Sequence, residues 1–153
     1  FTYLASKSTA EKILSFDLSI IIESDDNKKI NFLSGIYDSE GGIAGQNLNN
    51  RKYAKRWIHF SNNNKIIIKL MQTLLQHFDI NYKIRSRVHS GFGSEKLQYE
   101  IIVYGLKDIL WFHKKKIFKI KRKTNKLQEV VQSYEKINIK KAYAQQHWRL
   151  KNG

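Results

Sequence analysis

The sequence predicts an α+β domain in which four antiparallel strands carry helices on one face. Three segments repeat apolar residues every three or four positions, which is typical of helices that pack on a core. Two pairs of intervening segments alternate apolar and polar residues, as half-buried strands do. From residue 27 the predicted order is α-β-β-α-β-β-α, so the strands form one sheet whose second face has no helix to cover it.

Two helices are predicted before the first strand. Residues 8–23 open with a Ser-x-x-Glu capping box, the pattern that satisfies free N–H groups at a helix start. Asp25 or Asp26 can cap the second helix, whose apolar residues again lie on one side. Gly41 and Gly42 are expected to end this helix with a positive φ angle.

The middle of the chain predicts two hairpins separated by a helix. "GGIAGQNL" (41–48) and "AKRWIHFS" (54–61) form the first hairpin around a polar turn. Residues 62–78 predict an amphipathic helix that begins with asparagines. Residues 80–90 and 96–105 alternate apolar and polar side chains and form the second hairpin around a glycine turn.

The C-terminal part predicts a helix near Leu106, a basic run and a further helix over residues 126–136. We divide the chain into an N-terminal helix and linker (1–26), a central domain (27–133) and a basic tail (134–153). Because the chain begins at Phe1 without an initiator Met, we expect a processed chain or a fragment of a longer one.

The charge distribution points to a polyanionic partner. The chain of 153 residues has a net charge of +15, with 28 basic and 13 acidic residues. Residues 1–40 have a net charge of −3 and residues 41–153 have a net charge of +18. A basic surface that serves only solubility is the alternative, but an excess confined to one part of a domain indicates nucleic acid.

The uncovered sheet face is expected to hold a cationic set suited to a DNA groove. Its predicted members are Gln46, Arg56, Lys83, Arg85, Arg87 and Gln98. With neighbouring turns and strand ends, the full set of predicted DNA-binding residues is Gln46, Asn47, Arg51, Lys52, Arg56, Lys83, Arg85, Arg87, His89, Lys96 and Gln98. Lys and Arg supply phosphate contacts and guanine readout, whereas Gln and Asn pair with adenine.

Other chemistry is excluded by composition. The chain has no cysteine, which excludes disulfides and thiolate metal sites. It has no run of 18 uncharged apolar residues of the kind that spans a membrane. The five histidines lack metal-ligand spacing and are interpreted as surface or groove residues. Trp57 and Trp111 are interpreted as core or sheet-packing residues, and Trp148 is left open.

The stretch "LSGIYDSEG", Leu33 to Gly41, resembles the nine-residue signature of the LAGLIDADG homing endonucleases. The predicted hairpin, helix, hairpin and helix that follow it match the order of that family. The basic segment "FKIKRKTNKL" falls where the family has a basic-pocket strand or loop. The resemblance spans residues 27–133 and implies a saddle-shaped sheet with helices on one face.

The resemblance implies a metal-dependent nuclease site at the end of the signature helix. Glu40, the last acid of the signature, would bind a divalent metal, with the carbonyl of Gly41 as a second ligand. Mg²⁺, or Mn²⁺, suits such a site because it needs few carboxylates and completes its octahedron with water and phosphate oxygens. A metal-activated water would then attack the phosphate in line.

Two further catalytic residues follow from the same resemblance. Lys121 falls near the catalytic lysine of the family, although Lys119 or Lys123 could take that place. Asn63, or its neighbour Asn62, falls where the family has a polar residue that orients water.

The signature helices of two domains pack side by side in this family, through small residues that let the backbones approach. Ser34, Gly35 and Ser39 are the small residues here, and Asp38 is interpreted as a structural brace in the same interface. Because only one signature is present, we expect a homodimer. The alternative is that the chain is one half of a two-domain enzyme.

The predicted function is therefore site-specific double-strand cleavage of a long DNA target read in the major groove. The alternative is a non-cleaving protein of the same fold, an intron maturase that binds intron RNA or a transcription regulator. We expect it in the cytoplasm or nucleoid, or in an organelle if the host is a eukaryote, and without a membrane partner.

Overall fold

A computed structural model shows five helices and four strands over the described residues. The structure describes residues 17–49, 54–91 and 94–152, and it describes side chains over 17–49, 54–88 and 95–136. The elements, in chain order, are α1 (Ser19–Glu23), α2 (Asp26–Glu40), β1 (Gly41–Gln46), β2 (Lys55–Asn62), α3 (Lys65–His77), β3 (Lys83–Gly91), β4 (Ser94–Val103), α4 (Leu106–Lys114) and α5 (Lys121–Asn152).

The predicted α+β fold class is confirmed. The four strands form one antiparallel sheet in the order β1-β2-β4-β3. Ile58 and Phe60 of β2 and Ile101 and Val103 of β4 belong to the buried core beneath the helices. Because side chains alternate along a strand, the positions between these residues point to the other face of the sheet. We call this second side, which includes Gln46, Trp57, Arg85 and Glu100, the open face.

Helix α2 begins at an acidic cap and packs through its aromatic residue. The carboxylate of Asp25 accepts a hydrogen bond of 2.9 Å from the backbone N–H of Lys28, as predicted for an N-cap. Tyr37 is completely buried, and its ring lies 4.9 Å from the ring of Phe112 and 5.8 Å from that of Phe118, centroid to centroid. These edge-on contacts fix the C-terminal half of α2 against the core.

The C-terminal region differs from its predicted boundaries. A single helix, α5, runs from Lys121 to Asn152, through both the predicted helix at 126–136 and the segment assigned to a tail. Leu127, Val130 and Val131 of α5 are buried in the core, so packing on the core stabilises this part of the helix. At the other end, α1 is the described part of the helix predicted over 8–23; the Ser-x-x-Glu box lies outside the described residues.

None of the helices in the described ranges is both long enough and apolar enough to cross a membrane.

Helix α2 is tied to the segment that leads into α5. Both carboxylate oxygens of Asp38 accept a hydrogen bond of 3.0 Å from the backbone N–H of Lys119, and Oδ1 also accepts one of 3.3 Å from Ile120. The hydroxyl of buried Ser34 donates to the carbonyl oxygen of Ile117 at 2.5 Å. The Asp38 charge thus lies at the positive end of α5, where a helix dipole favours an anion.

We expect Asp38→Ala to lower the free energy of unfolding by about 1–2 kcal/mol, because the substitution removes charge-assisted bonds to two backbone N–H groups. Urea denaturation followed by circular dichroism measures this change. Ser39→Ala is the matched control, since Ser39 is exposed and bonds only its own helix within the described residues. An equal loss of unfolding free energy in both variants would show that the bonds of Asp38 to the backbone before α5 do not stabilise the fold.

Tyr37→Phe is expected to raise the free energy of unfolding by up to about 1 kcal/mol. The buried Tyr37 hydroxyl has no hydrogen-bond partner among the described residues, so removing it relieves an unsatisfied polar group. Tyr82→Phe is the control with the opposite sign, because the Tyr82 hydroxyl accepts bonds from Gln72 and Gln76. Stability that falls equally in both variants would show that the Tyr37 hydroxyl is satisfied in solution.

Candidate active site and nucleic-acid interface

Glu40 is the last residue of α2, and strand β1 follows it without a loop. Its exposed carboxylate accepts a hydrogen bond of 2.6 Å from the side-chain amide of Asn62, the last residue of β2. The amide oxygen of Asn62 accepts a second bond of 2.8 Å from the backbone N–H of Asn64. Together these bonds fix which way the Asn62 amide points, so its N–H₂ group faces Glu40.

A shallow groove of about 450 Å³ opens in front of this pair. We call it the Glu40 groove; its lining residues are Glu40, Ser61, Asn62, Asn63, Lys96 and Gln98. Lys96 and Gln98 belong to the open face, so the groove joins the end of α2 to that face. Both predicted asparagines line the groove, and Asn62, not Asn63, forms the hydrogen bond to Glu40.

Gly41 and Gly42 do not end α2 with a positive φ angle, and this prediction was wrong. Gly41 is extended, with φ −81° and ψ 161°, and is already the first residue of β1. The glycines are needed for space instead. A Cβ atom at position 41 would lie 2.7 Å from the carbonyl oxygen of Tyr37, and one at position 42 would lie 2.4 Å from the His59 ring.

Lys123 is the lysine that reaches the end of α2. Its ammonium group donates hydrogen bonds to the carbonyl oxygens of Tyr37 (3.0 Å) and Asp38 (2.6 Å). These carbonyls lie in the last turn of the helix, where the dipole is negative and a cation is favoured. Burial lowers the pKa of Lys123, and the nearby Asp38 carboxylate opposes that shift. Lys121, which we predicted as the catalytic lysine, is exposed at the first residue of α5.

A second and larger groove, of about 530 Å³, lies between the edge of β1 and the start of α5. Arg122, Lys123 and Lys126 give it a positive lining, in which Lys126 is paired with Glu129 at 2.9 Å. His59 lies at its wall, and burial lowers the pKa of this histidine below its ordinary value. The imidazole is therefore mostly neutral near pH 7.

The register of the sheet places six of the predicted DNA-binding residues at strand positions on the open face. These are Gln46, Lys83, Arg85, Arg87, Lys96 and Gln98. Asn47 follows β1 in a turn, with a φ angle of 52°. Arg51 and Lys52 lie outside the described residues, and the side chain of His89 is likewise not described.

Arg56 does not lie on the open face, contrary to the prediction. It alternates with Ile58 and Phe60 and therefore points toward the helices. Its guanidinium donates to the hydroxyl of Ser133 (2.8 Å) and the carbonyl oxygen of Leu48 (2.9 Å). It also stacks 4.9 Å from the ring of Tyr134, so Arg56 joins the sheet to α5.

Two residues of the open face were missed by the sequence reasoning. Trp57, interpreted as a core or sheet-packing residue, is half-buried on this face, opposite Ala44. Glu100 lies among the cations of the face, opposite Arg85. The alternation of "KLQYEIIVYG" was a usable signal, because Glu100 shares its phase with Gln98.

The predicted interface residues of α2 separate into exposed and buried positions. Gly35 and Ser39 are exposed, and among the described residues no atom outside the backbone of α2 lies within 4 Å of a Cβ built on Gly35. Ser34 is only 4% exposed and is bonded within its own chain, so it is not available to a neighbouring helix. Asp38 is engaged with the backbone before α5, as described above.

The described residues include no group of three His, Cys, Asp or Glu side chains that could bind a metal ion. Within the part of the chain that the structure describes, the end of α2 offers one carboxylate that is bonded only to a neutral amide, that of Glu40. One carboxylate is compatible with a Mg²⁺ site in which a second helix end supplies another carboxylate. Mg²⁺ accepts few carboxylates and fills its remaining positions with water and phosphate oxygens.

Comparison with known proteins agrees with this geometry. No curated protein matches the chain. The family model described as "LAGLIDADG-like domain" matches residues 27–116, which is more than half of the chain and includes α2 from its second residue, both hairpins and α4. Proteins of this family are homing endonucleases or maturases; they bind DNA as dimers or as two-domain chains, and the nucleases among them generally use divalent metals. The chain belongs to the LAGLIDADG family.

Proposed function

We propose that this protein is a site-specific DNA endonuclease that cuts both strands of a long duplex target. The observation that carries the proposal is the position of Glu40. Its carboxylate stands at the end of the signature helix, in a groove that opens directly onto the cationic sheet face. A duplex lying on that face would therefore place a phosphate beside the carboxylate.

Each residue at the end of α2 has a separate part in this proposal. Glu40 and the main-chain carbonyl of Gly41 would hold a divalent ion, Mg²⁺ or Mn²⁺, which supplies an activated water and charge neutralisation at the phosphate when bound. Asn62, fixed by its bond to Asn64, holds the Glu40 carboxylate in one orientation. Lys123 is the candidate catalytic lysine, because its ammonium group lies at the helix end that bears Glu40.

The open face is the proposed reader of the target. Arg85, Lys83 and Gln98 are directed away from the helices and can reach base edges or phosphates in a major groove. Affinity should fall steeply as the salt concentration rises, because binding releases counterions from the phosphates.

We propose a homodimer in which two α2 helices pack through the face that carries Gly35 and Ser39. The space around Gly35 allows two backbones to approach closely. Each subunit then contributes one Glu40 to the centre of a roughly palindromic site. Pairing with a second LAGLIDADG domain would complete the site in the same way.

Glu40→Gln is expected to lower DNA cleavage by about 100-fold or more, since even partners of metal ligands contribute 10–100-fold. Specific binding should survive because the open face is unchanged. Both are measured on one duplex identified by binding selection, with cleavage in Mg²⁺ and binding in chelator.

Glu23→Gln removes the same charge from an exposed position in α1 and serves as the control. In the same assay, Lys123→Met should reduce cleavage and Lys121→Met should not. Binding without cleavage by the native chain would contradict the endonuclease proposal and favour a non-cleaving role, with intron RNA as the next ligand to test.

Arg85→Ala is expected to weaken specific binding by about 1–3 kcal/mol if the arginine reads a guanine. Arg56→Ala, a matched loss of one arginine from the helix side of the same sheet, should leave affinity per folded molecule unchanged. It should instead lower the free energy of unfolding by about 1–3 kcal/mol, because Ser133 and Leu48 lose their partner.

Fluorescence anisotropy with labelled duplex and urea denaturation measure the two effects separately. An Arg56 variant that folds normally but loses DNA affinity would contradict the assignment of the two faces.

A further inference from the structure

Glu100 is an acidic residue in a face that is otherwise neutral or basic. Among the described strand positions of the open face, it is the acidic one. Its carboxylate would repel the phosphates of a bound duplex, so its presence in a DNA-binding face needs a separate reason.

The carboxylate is largely buried and is paired with one particular arginine. Oε2 of Glu100 lies 3.3 Å from Nη2 of Arg87, and the two side chains are 15% and 58% exposed. Arg85 is directly opposite Glu100 in the register, yet the ion pair is formed diagonally with Arg87. The contact is an ion pair and not a hydrogen bond, since buried Oε2 of Glu100 has no hydrogen-bond partner among the described residues. One Nη atom of the arginine faces Glu100, and the rest of the side chain stays exposed to solvent.

His59, the second neighbour of Glu100, interacts with the carboxylate more weakly than Arg87 does. Nδ1 of His59 lies 3.7 Å from Oε1, beyond hydrogen-bond distance. Because burial lowers the pKa of His59, the ring carries little positive charge near pH 7. The Arg87 guanidinium is therefore the cation that balances Glu100, and a partly buried pair is screened less than an exposed one.

This pairing changes what Arg87 can recognise. An unpaired arginine on a cationic face is free to bind any phosphate within its reach. An arginine already neutralised by a fixed carboxylate has less attraction for a phosphate, but it retains N–H donors in a rigid fork. Such a fork matches the O6 and N7 acceptors of guanine in the major groove.

We infer that Glu100 is a positioning residue that fixes the guanidinium of Arg87 to read one guanine of the DNA target. The inference rests on the proposed function only in taking duplex DNA as the ligand of the open face. It is independent of cleavage.

The test is a binding selection from a randomised duplex library, in chelator, that yields the base preference at each target position. Glu100→Gln should lower the preference for guanine at one position by about tenfold, within the range that one bidentate contact provides. Glu95→Gln is the matched control. It removes the same charge from the same strand, at an exposed position that alternates to the helix side.

Arg87→Lys provides a second variant at an exposed position, where folding is not at risk. It keeps the charge but loses the fork, so it should lose preference at the same base pair as Glu100→Gln. The double variant should lose no more than either single variant, because Glu100 acts through Arg87. A merely structural role for Glu100 would instead lower thermal stability without changing the base preference.

Each result bears on the inference. Glu100→Gln and Glu95→Gln with the same preference profile would overturn it, as would an Arg87→Lys variant that keeps its guanine. A native chain that selects no sequence at all would overturn both this inference and the proposed function. A native chain that selects a sequence, together with an unchanged Glu100→Gln profile, would overturn this inference alone.

Discussion

The contact between the Lys123 ammonium and the last turn of α2 is the interaction on which the site depends. The carbonyls of Tyr37 and Asp38 make this end of the helix negative, and two carboxylates add to it. Lys123 neutralises the carbonyls, and the backbone before α5 takes up Asp38. Glu40 receives a neutral amide and no cation among the described residues, which is why we propose it as the ligand of a divalent ion.

The sheet separates stability from recognition. Its helix side holds the apolar core and even one arginine, Arg56, which serves as a polar link to α5. Its open side holds the exposed cations Lys83, Arg85 and Arg87, of which Arg87 is paired with Glu100. The proposed reading residues can thus differ in sequence without disturbing the core, whereas the α2 junction tolerates little change because Gly41 and Gly42 have no room for a side chain.

Most of the fold could be predicted from the sequence because period and caps are local properties. Alternation placed both hairpins, and the acid before α2 was a correct cap. The predictions that were wrong concern contacts between elements that lie far apart in the sequence or on different faces of the sheet. Arg56 was assigned outward because it is charged, although its phase with Ile58 and Phe60 indicates the helix side. Gly41 and Gly42 were expected to end α2 with a positive φ angle, whereas they make room for Tyr37 and His59. The contacts of Lys123 and Ser34 cross more than 80 residues, so no local pattern reveals them.

Because no loop separates α2 from β1, the position of Glu40 relative to the sheet is fixed by the backbone. Glu40 and Gly41 are consecutive, so the carboxylate proposed for catalysis and the first strand of the sheet proposed to read DNA belong to one continuous backbone. In the proposed complex, a sheet that shifts along the groove by one base pair carries the carboxylate with it. The distance from the recognised bases to the cut is then set by covalent geometry, and a change of target sequence would leave that distance the same.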